Sequence, residues 1–167
     1  RSGCERSSTC DGEPMETPLP PDFREFLSLL NSEKVEYLVV GGYAVSYHGY
    51  PRPTGDLDVW IAVDPANAER ISSALTKFGF AQDAGAAEAF LERDRIFRMG
   101  VPPVRIEVLT GATGVRFSDC YARRVVAHVD GMQVSVISKE DLLVNKRAAG
   151  RHKDLNDVEQ LSSKTQE

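Results

Sequence analysis

Apolar residues recur along this chain first at helical spacing and then in short runs of strand length. After Asp22, a suitable N-cap, they follow a helical stripe and predict a first helix. The run 35–40 is apolar and β-branched and stops at Gly41-Gly42, and 43–48 then predicts a short helix. This part of the chain therefore predicts a strand, a glycine turn and a helix in succession.

The remainder of the chain continues to alternate strands and helices. A strand is predicted over 57–63, and a helix that begins at Pro65 is stopped by Gly79. The later predicted elements are a short helical piece at 88–92, strands at 96–99 and 104–109, a hairpin of 125–129 with 132–137, a helix from Ser138 to Gly150, and a last helix over about 153–162. Together they predict an α+β (α/β) fold with a sheet of five or six strands.

The length of the chain favours one domain, since domains commonly have about 150 residues. The chain has 167 residues, and four of its nine prolines lie in the first 21, beside a start rich in serine, threonine, glycine and cysteine. This composition is typical of disordered segments. We therefore expect a disordered lead-in over 1–21 and a single globular domain over 22–164.

Composition and charge narrow the classes of function. The formal net charge of −5 excludes a histone-like nucleic-acid binder, although a local basic patch is compatible with it. The longest apolar run, 37–45, is about half as long as a membrane-spanning helix, and the N-terminus has no hydrophobic signal core. Three cysteines without a CxxC pair indicate neither a disulfide framework nor a zinc site. We expect a cytoplasmic protein that does not interact with membranes.

Two acidic residues, Asp56 and Asp58, stand at the entry of an otherwise apolar strand. Because they are two positions apart, their side chains project from the same face. Adjacent carboxylates repel each other unless a cation lies between them, and hard oxygen ligands of this kind suit Mg²⁺. Acidic pairs at this spacing also arise by chance in a chain with 25 acidic residues, so a solvated pair at a strand end is the alternative.

Two further features extend this candidate site. Glu107 lies in the middle of the strand 104–109 and can join the acidic pair if the two strands are neighbours; otherwise it forms a salt bridge on a solvated face. Gly41-Gly42 ends a strand and opens a helix, so its backbone N–H groups would favour an anion such as a triphosphate. A tight turn without any ligand uses glycine just as readily.

The combination of these features is more specific than any one of them. A strand, Gly41-Gly42, a helix, the Asp56-Leu57-Asp58 pair and an acid in a later strand resemble the signature of the nucleotidyltransferase fold of the DNA polymerase β superfamily, with its mixed sheet and flanking helices. Over roughly residues 34–161 the chain is also similar to small bacterial AbiEii-type nucleotidyltransferases. The motifs that carry this similarity are Gly41-Gly42-Tyr43-Ala44, His48-Gly49, Arg52-Pro53-Thr54, Asp56-Leu57-Asp58-Val59, Lys146, Gly150-Arg151-His152-Lys153-Asp154 and Asp157.

The resemblance implies a catalytic site and a substrate. Asp56, Asp58 and Glu107 would hold two Mg²⁺ ions, and Glu107 would also take the proton from an acceptor hydroxyl. The substrate would be a nucleoside triphosphate, whose charge a two-metal clamp neutralises. Asp154 and Asp157 match a Lys-Asp-x-x-Asp tail motif, and a solvated charged helix face is the alternative for the tail residues. The implied nucleotide-binding residues are Gly41, Gly42, Arg52, Thr54, Lys146, Arg151 and Lys153.

Two positions depart from the family pattern. Gly42 stands where serine is common, which removes a hydroxyl that helps to hold a phosphate. Glu107 stands where aspartate is frequent, which moves the carboxylate outward by one methylene. Both exchanges occur in the wider superfamily, so they bear on turnover more than on the fold.

The resemblance implies transfer of a nucleoside monophosphate to a hydroxyl or phosphate acceptor, with release of pyrophosphate. It leaves the acceptor open among a small molecule such as an antibiotic, RNA and protein, and it leaves the oligomeric state undetermined. The competing hypothesis is a non-catalytic member that binds a nucleotide or a partner protein, such as a toxin–antitoxin component. Retention of all three acids favours the enzyme, since an idle carboxylate cluster only costs stability.

Overall fold

The computed structural model describes residues 19–80 and 85–165. The helices within these ranges are α1 (Pro21–Ser32), α2 (Gly41–Tyr47), α3 (Pro65–Phe78), α4 (Phe117–Ala122), α5 (Lys139–Ala149) and α6 (His152–Thr165), with a 3₁₀ helix over Ala86–Leu91. The strands are β1 (Tyr37–Val40), β2 (Asp56–Ile61), β3 (Ile96–Met99), β4 (Arg105–Leu109), β5 (Val125–Val129) and β6 (Met132–Val136). Residues 1–18 of the expected lead-in lie outside the described residues, while Leu19 is buried and Pro21 opens α1.

The six strands form one mixed sheet in the order β3-β4-β2-β1-β6-β5. The central strands β1 and β2 are antiparallel, whereas β2 with β4 and β1 with β6 run parallel. A parallel pair requires a long crossover connection, and α3 with the 3₁₀ helix lies in the chain between β2 and β4. The mixed sheet with flanking and C-terminal helices confirms the fold class predicted from the sequence.

The two faces of β2 differ in chemistry because its side chains alternate. Leu57, Val59 and Ile61 are almost fully buried and belong to the core that also contains the apolar stripes of α1 and α3. Asp56 and Asp58 lie on the other face and are only partly buried. One strand therefore supplies both the centre of the core and two carboxylates to the opposite surface.

Helix ends follow the local signals in the sequence. The Asp64 carboxylate accepts a hydrogen bond from the backbone N–H of Asn67 at 2.8 Å and caps α3, which ends at Gly79 in the left-handed region. The Ser138 hydroxyl accepts one from the backbone N–H of Asp141 at 3.1 Å and caps α5. The predicted starts and stops of these two helices are thus confirmed.

Other helices differ from the prediction. Helix α1 begins at Pro21 with Pro20 at the N-cap position, so the expected N-cap Asp22 lies in its first turn instead. Helix α2 begins at Gly41, two residues earlier than expected, so both glycines belong to its first turn. Helix α4 was not predicted: its six residues carry little periodicity, and it is held by tertiary contacts, with Phe117 edge-on to Trp60 at 5.2 Å and Cys120 buried. In the described part of the chain, no helix has the length and apolar character needed to cross a membrane.

Candidate functional site

A cavity of about 590 Å³ opens over the end of the sheet where β2 begins, and we call it the first cavity. Its walls come from the first turn of α2, from β2 and β4, and from α5 and α6. Asp157 is the one residue of the predicted site that does not line it within the described ranges. The predicted residues that the structure brings together here are Gly41, Gly42, Arg52, Thr54, Asp56, Asp58, Glu107, Lys146, Arg151, Lys153 and Asp154.

The three predicted acids are placed by adjacent parallel strands. In the register of β2 and β4, Asp58 lies opposite Glu107 and Asp56 lies opposite Arg105. Residues that are paired across a sheet project from the same face, so the three carboxylates share one surface. The prediction required the strands of Asp58 and Glu107 to be neighbours, and the pairing of β2 with β4 meets this condition.

Arginines on the same surface hold two of these acids. Arg105 forms a bidentate pair with Asp56, with Nε to Oδ1 at 3.0 Å and Nη2 to Oδ2 at 3.1 Å. The Arg98 Nε on β3 donates to the Glu107 Oε2 at 2.8 Å. The Arg105 Nε also lies 3.6 Å from the same Glu107 oxygen. In this state the negative charge of Asp56 and Glu107 is largely balanced by the protein itself.

Asp58 is the acid without such a partner. Its Oδ1 is buried and has no hydrogen-bond partner among the described residues. Burial, a hydrogen bond to Glu107 that favours the protonated form, and the nearby negative charges of Glu107 and Asp56 raise the pKa of Asp58 to about 7, with Lys146 opposing the shift. A buried, unpartnered carboxylate oxygen is costly, and a bound cation would relieve that cost.

The surface carries suitable donors for a hard divalent cation, although the side chains are not gathered around one. Three carboxylates on one face supply the oxygen ligands that Mg²⁺ prefers, and one of their oxygens is buried and unpartnered. Across residues 19–80 and 85–165, no three His, Cys, Asp or Glu side chains converge closely enough to hold a metal ion. Metal binding would require Asp56 and Glu107 to exchange arginine contacts for the cation.

The two glycines are required by the close approach of the acidic strand. Gly41 has φ +68°, and a Cβ on it would overlap the Asp58 Oδ2. A Cβ on Gly42 would lie 2.7 Å from the Thr54 Oγ1. Thr54 in turn donates to the backbone oxygen of Asp56 at 3.2 Å. The absence of side chains at Gly41-Gly42 therefore brings the first turn of α2 against the carboxylates, whatever ligand is bound.

The tail residues form a buried ion-pair network between α5 and α6. The Lys146 Nζ lies 3.3 Å from Asp154 and 3.1 Å from Asp157, and all three side chains are almost fully buried. The expected alternative of a solvated helix face does not describe these three residues. Because the ammonium is enclosed between two carboxylates, its first contribution is to hold the helices together.

Two arginines connect this network to the first cavity. Arg52 makes a bidentate pair with Asp157 at 3.0 and 2.9 Å. The Arg151 Nε donates to Asp154 at 2.6 Å, and its side chain is 68% exposed. Asp157 thus reaches the cavity through Arg52 although it does not line it. Lys153, which also lines the cavity, is exposed on α6.

The sequence allowed a salt bridge at Glu107, which the structure shows, but it did not identify Arg98 and Arg105 as the arginines that neutralise the acids. Arg105 lies two positions before Glu107 and therefore shares its face of β4, a spacing that could have identified it. Arg98 carries no comparable signal, because its contact depends on β3 pairing with β4 in a register that sets Arg98 opposite Glu107. Both arginines are needed to describe the charge of the site.

A family model and one solved structure support the nucleotidyltransferase fold. The model of the family described as "Nucleotidyltransferase of unknown function (DUF6036)" matches residues 22–164. A crystal structure of a Thermotoga maritima protein classed with the nucleotidyltransferases matches at TM-score 0.53 and 16% identity, covering 86% of this chain and 90% of that one. A nucleotidyltransferase-like antigenic protein from Paracoccidioides brasiliensis matches at TM-score 0.49 and 21% identity, covering 87% and 78%. No functionally curated protein matches the chain in sequence.

Proposed function

The chain belongs to the DUF6036 family of nucleotidyltransferases, and from that premise we propose that it transfers a nucleoside monophosphate from a nucleoside triphosphate to an acceptor hydroxyl or phosphate, with two Mg²⁺ ions. The observation that carries the proposal is the set of three carboxylates on adjacent strands, Asp56 and Asp58 with Glu107, facing one cavity beside a glycine turn. Bound Mg²⁺ would neutralise the triphosphate and polarise the α-phosphate.

The reaction needs a base, a leaving group and an aligned nucleophile. The acceptor oxygen bonds to the α-phosphorus, the bond from that phosphorus to the bridging oxygen breaks, and pyrophosphate leaves with the electron pair. The proton of an acceptor hydroxyl goes to a carboxylate, a role that falls to Glu107. Arg98 orients that carboxylate through its 2.8 Å hydrogen bond. Asp56 and Asp58 would be metal ligands.

The phosphates would bind to the cations at the cavity rim. Arg52 and Arg151 are fixed by Asp157 and Asp154, so their guanidinium groups are oriented before a ligand arrives. Lys153 adds an exposed ammonium. Gly41 and Gly42 would contribute backbone N–H groups, and Thr54 would set their distance from β2. We propose that Lys146 holds Asp154 and Asp157 in place, in addition to its predicted attraction for phosphate.

A second candidate function is favoured by the arginine pairing itself. With Arg105 on Asp56 and Arg98 on Glu107, the charges of these two acids are balanced without a metal, as is expected of a non-catalytic nucleotide- or partner-binding member. A toxin–antitoxin component is one form of this alternative. Three statements stay predictions. These are the closer likeness to AbiEii-type proteins, a cytoplasmic location, and an acceptor that is an antibiotic, RNA or protein.

Calorimetric titration with each nucleoside triphosphate, with and without Mg²⁺, tests the proposal. We expect metal-dependent binding by the native chain that is lost in Asp58→Asn, while Glu69→Gln, an exposed acid on α3, leaves it unchanged. Transfer is then measured with an α-labelled triphosphate. Binding that is independent of both metal and Asp58 would contradict the metal site, and binding without label transfer to any acceptor would favour the non-catalytic function.

A further inference from the structure

A second cavity, of about 540 Å³, continues from the first along the same face of the sheet. The two cavities share the wall residues Asp94, Gly111 and Ala112. Trp60, two positions after Asp58 on β2 and therefore on its face, lines the second cavity. Neither the three carboxylates nor the glycine turn lines this second cavity, so a ligand seated there would adjoin the first cavity without occupying it, as an acceptor needs to do.

The wall between the cavities is tightly built. Asp94 has a positive φ of 60°, a rare conformation for a residue with a side chain, and it follows the 3₁₀ segment. A Cβ on Gly111 would overlap the Asp94 carboxylate, so glycine is needed for this close approach. The Asp94 carboxylate thus lies against Gly111 in the wall that both cavities share, where it can accept a hydrogen bond from a hydroxyl.

The arginines of the two cavities differ in their partners. Arg52, Arg95, Arg98 and Arg151 line the first cavity, and every one of them is in an ion pair with an acid of this chain. Arg93 and Arg116 line the second cavity and are exposed, and their side chains have no ion-pair or hydrogen-bond partner among the described residues. An arginine pair without acidic partners favours an anionic ligand.

The surroundings support the same ligand chemistry. Segment 92–124 holds seven arginines and four carboxylates, a formal charge of +3, although the whole chain carries −5. Of these groups, Arg93, Arg116 and the Asp94 carboxylate line the second cavity. The half-buried rings of Phe117 and Tyr121 stack on each other with centroids 5.2 Å apart and offer an apolar wall. Glu36 and Asp64 add hydrogen-bond acceptors at this cavity. The lining thus combines free guanidinium groups, ring surface and acceptors for hydroxyls.

We propose that the second cavity is the acceptor subsite and that it takes a hydroxyl-bearing phosphate ester, whose phosphate binds Arg93 and Arg116. The proposal rests on the proposed function, since it names the acceptor class of that site. The phosphate ester could be a free sugar phosphate or part of a nucleic acid, because both present the same group to the arginines. The experiment separates these two sources.

Trp60 is the single tryptophan of the chain and lines this cavity, so its fluorescence reports binding there. Ribose 5-phosphate, its neutral match ribose, and a short single-stranded RNA are titrated without triphosphate or metal. We expect a saturable change with ribose 5-phosphate and none with ribose. A response to the RNA alone would assign the phosphate to a nucleic acid.

Paired variants make the test specific. The double variant Arg93→Gln/Arg116→Gln should weaken the affinity at least about tenfold, while Arg70→Gln, an exposed arginine on α3 outside both cavities, should leave it unchanged. No saturable response to either phosphate compound, or equal affinity in the double variant, would overturn the subsite.

The readout is independent of nucleotidyl transfer. Asp58→Asn should bind ribose 5-phosphate as the native chain does, because it leaves the second cavity intact. Selective binding by a chain that transfers no label would therefore leave the subsite standing and contradict only the enzymatic function. If label is transferred to an acceptor but no arginine-dependent change in Trp60 fluorescence is found, the enzymatic function would stand and the subsite would be contradicted.

Discussion

Asp58 differs from its neighbours Asp56 and Glu107 because no arginine reaches it. Burial and the adjacent Glu107 raise the pKa of Asp58 to about 7, from 3.8. Between these two values the folded protein holds a proton that the unfolded chain has lost, so the free energy of unfolding falls as the pH rises through this window. The buried charge of Asp58 therefore costs stability above about pH 7.

We expect Asp58→Asn to stabilise the metal-free protein by about 1–3 kcal/mol above about pH 7 and by much less near pH 5, because asparagine removes the buried charge only where that charge exists. Melting temperatures across this range measure the effect. Asp56→Asn is the control: it breaks the pair with Arg105, whose partners are each about 30% exposed, and should lower stability slightly. A pH-independent effect of Asp58→Asn would contradict the shifted pKa.

A substitution at Gly41 tests the contact between the glycine turn and Asp58. Gly41→Ala adds a Cβ that overlaps Asp58 at a φ of +68°, and we expect a loss of about 2–4 kcal/mol in urea unfolding. Gly131→Ala, at φ +78° with nothing within 4 Å of the added Cβ, should cost only about 1 kcal/mol. Equal losses would show that the backbone conformation alone is responsible.

At the scale of elements, the register of β2 with β4 and the pairing of α5 with α6 assemble the site. The first sets Asp58 opposite Glu107, and the second encloses Lys146 between Asp154 and Asp157. Buried ion pairs contribute little over an apolar core but are costly to break, because the remaining charges lose their partner. The two acids that enclose Lys146 also hold the cavity arginines, Asp157 holding Arg52 and Asp154 holding Arg151.

Removing the Lys146 ammonium should strongly destabilise the fold. Lys146→Met leaves two buried carboxylates without their shared cation, and we expect a loss of about 3–5 kcal/mol in the free energy of unfolding. Lys153→Met on α6, where the lysine is exposed, should change stability by less than about 0.5 kcal/mol. Denaturant titration of both variants provides the measurement. A small effect of Lys146→Met would show that the carboxylates take up protons or water at little cost.

At the scale of the whole molecule, one face of β2 and β4 carries the three carboxylates of the candidate site, while the other face packs in the core. The first cavity lies over the carboxylates, the second over Trp60, and the shared wall at Asp94 and Gly111 joins them. Such a continuous surface can hold two substrates side by side, as any group transfer between two molecules requires. The net charge of −5 does not indicate this, since local excesses of positive charge, over 92–124 and at Lys146, Arg151 and Lys153, are outweighed by acids elsewhere in the chain.

The sequence by itself determined the elements, the fold class and the acids of the candidate site. These rest on local signals: apolar periodicity, the helix start at Pro65, the cap Ser138, the stops at Gly79 and Gly150, and the alternation that sets Asp56 and Asp58 on one face. The same signals did not predict α4, because its six residues have little periodicity. This helix is held by tertiary packing, with Phe117 against Trp60.

Only the tertiary structure decided which charges meet. Strand register placed Glu107 beside Asp58 and brought Arg98 to Glu107, and the pairing of α5 with α6 turned Lys146 into a buried link. Contacts between residues distant in sequence depend on how whole elements pack, and ion pairs act only over a few ångströms. The sequence therefore identifies the groups capable of chemistry, while the packing of the sheet and the C-terminal helices determines which of them remain available to a ligand.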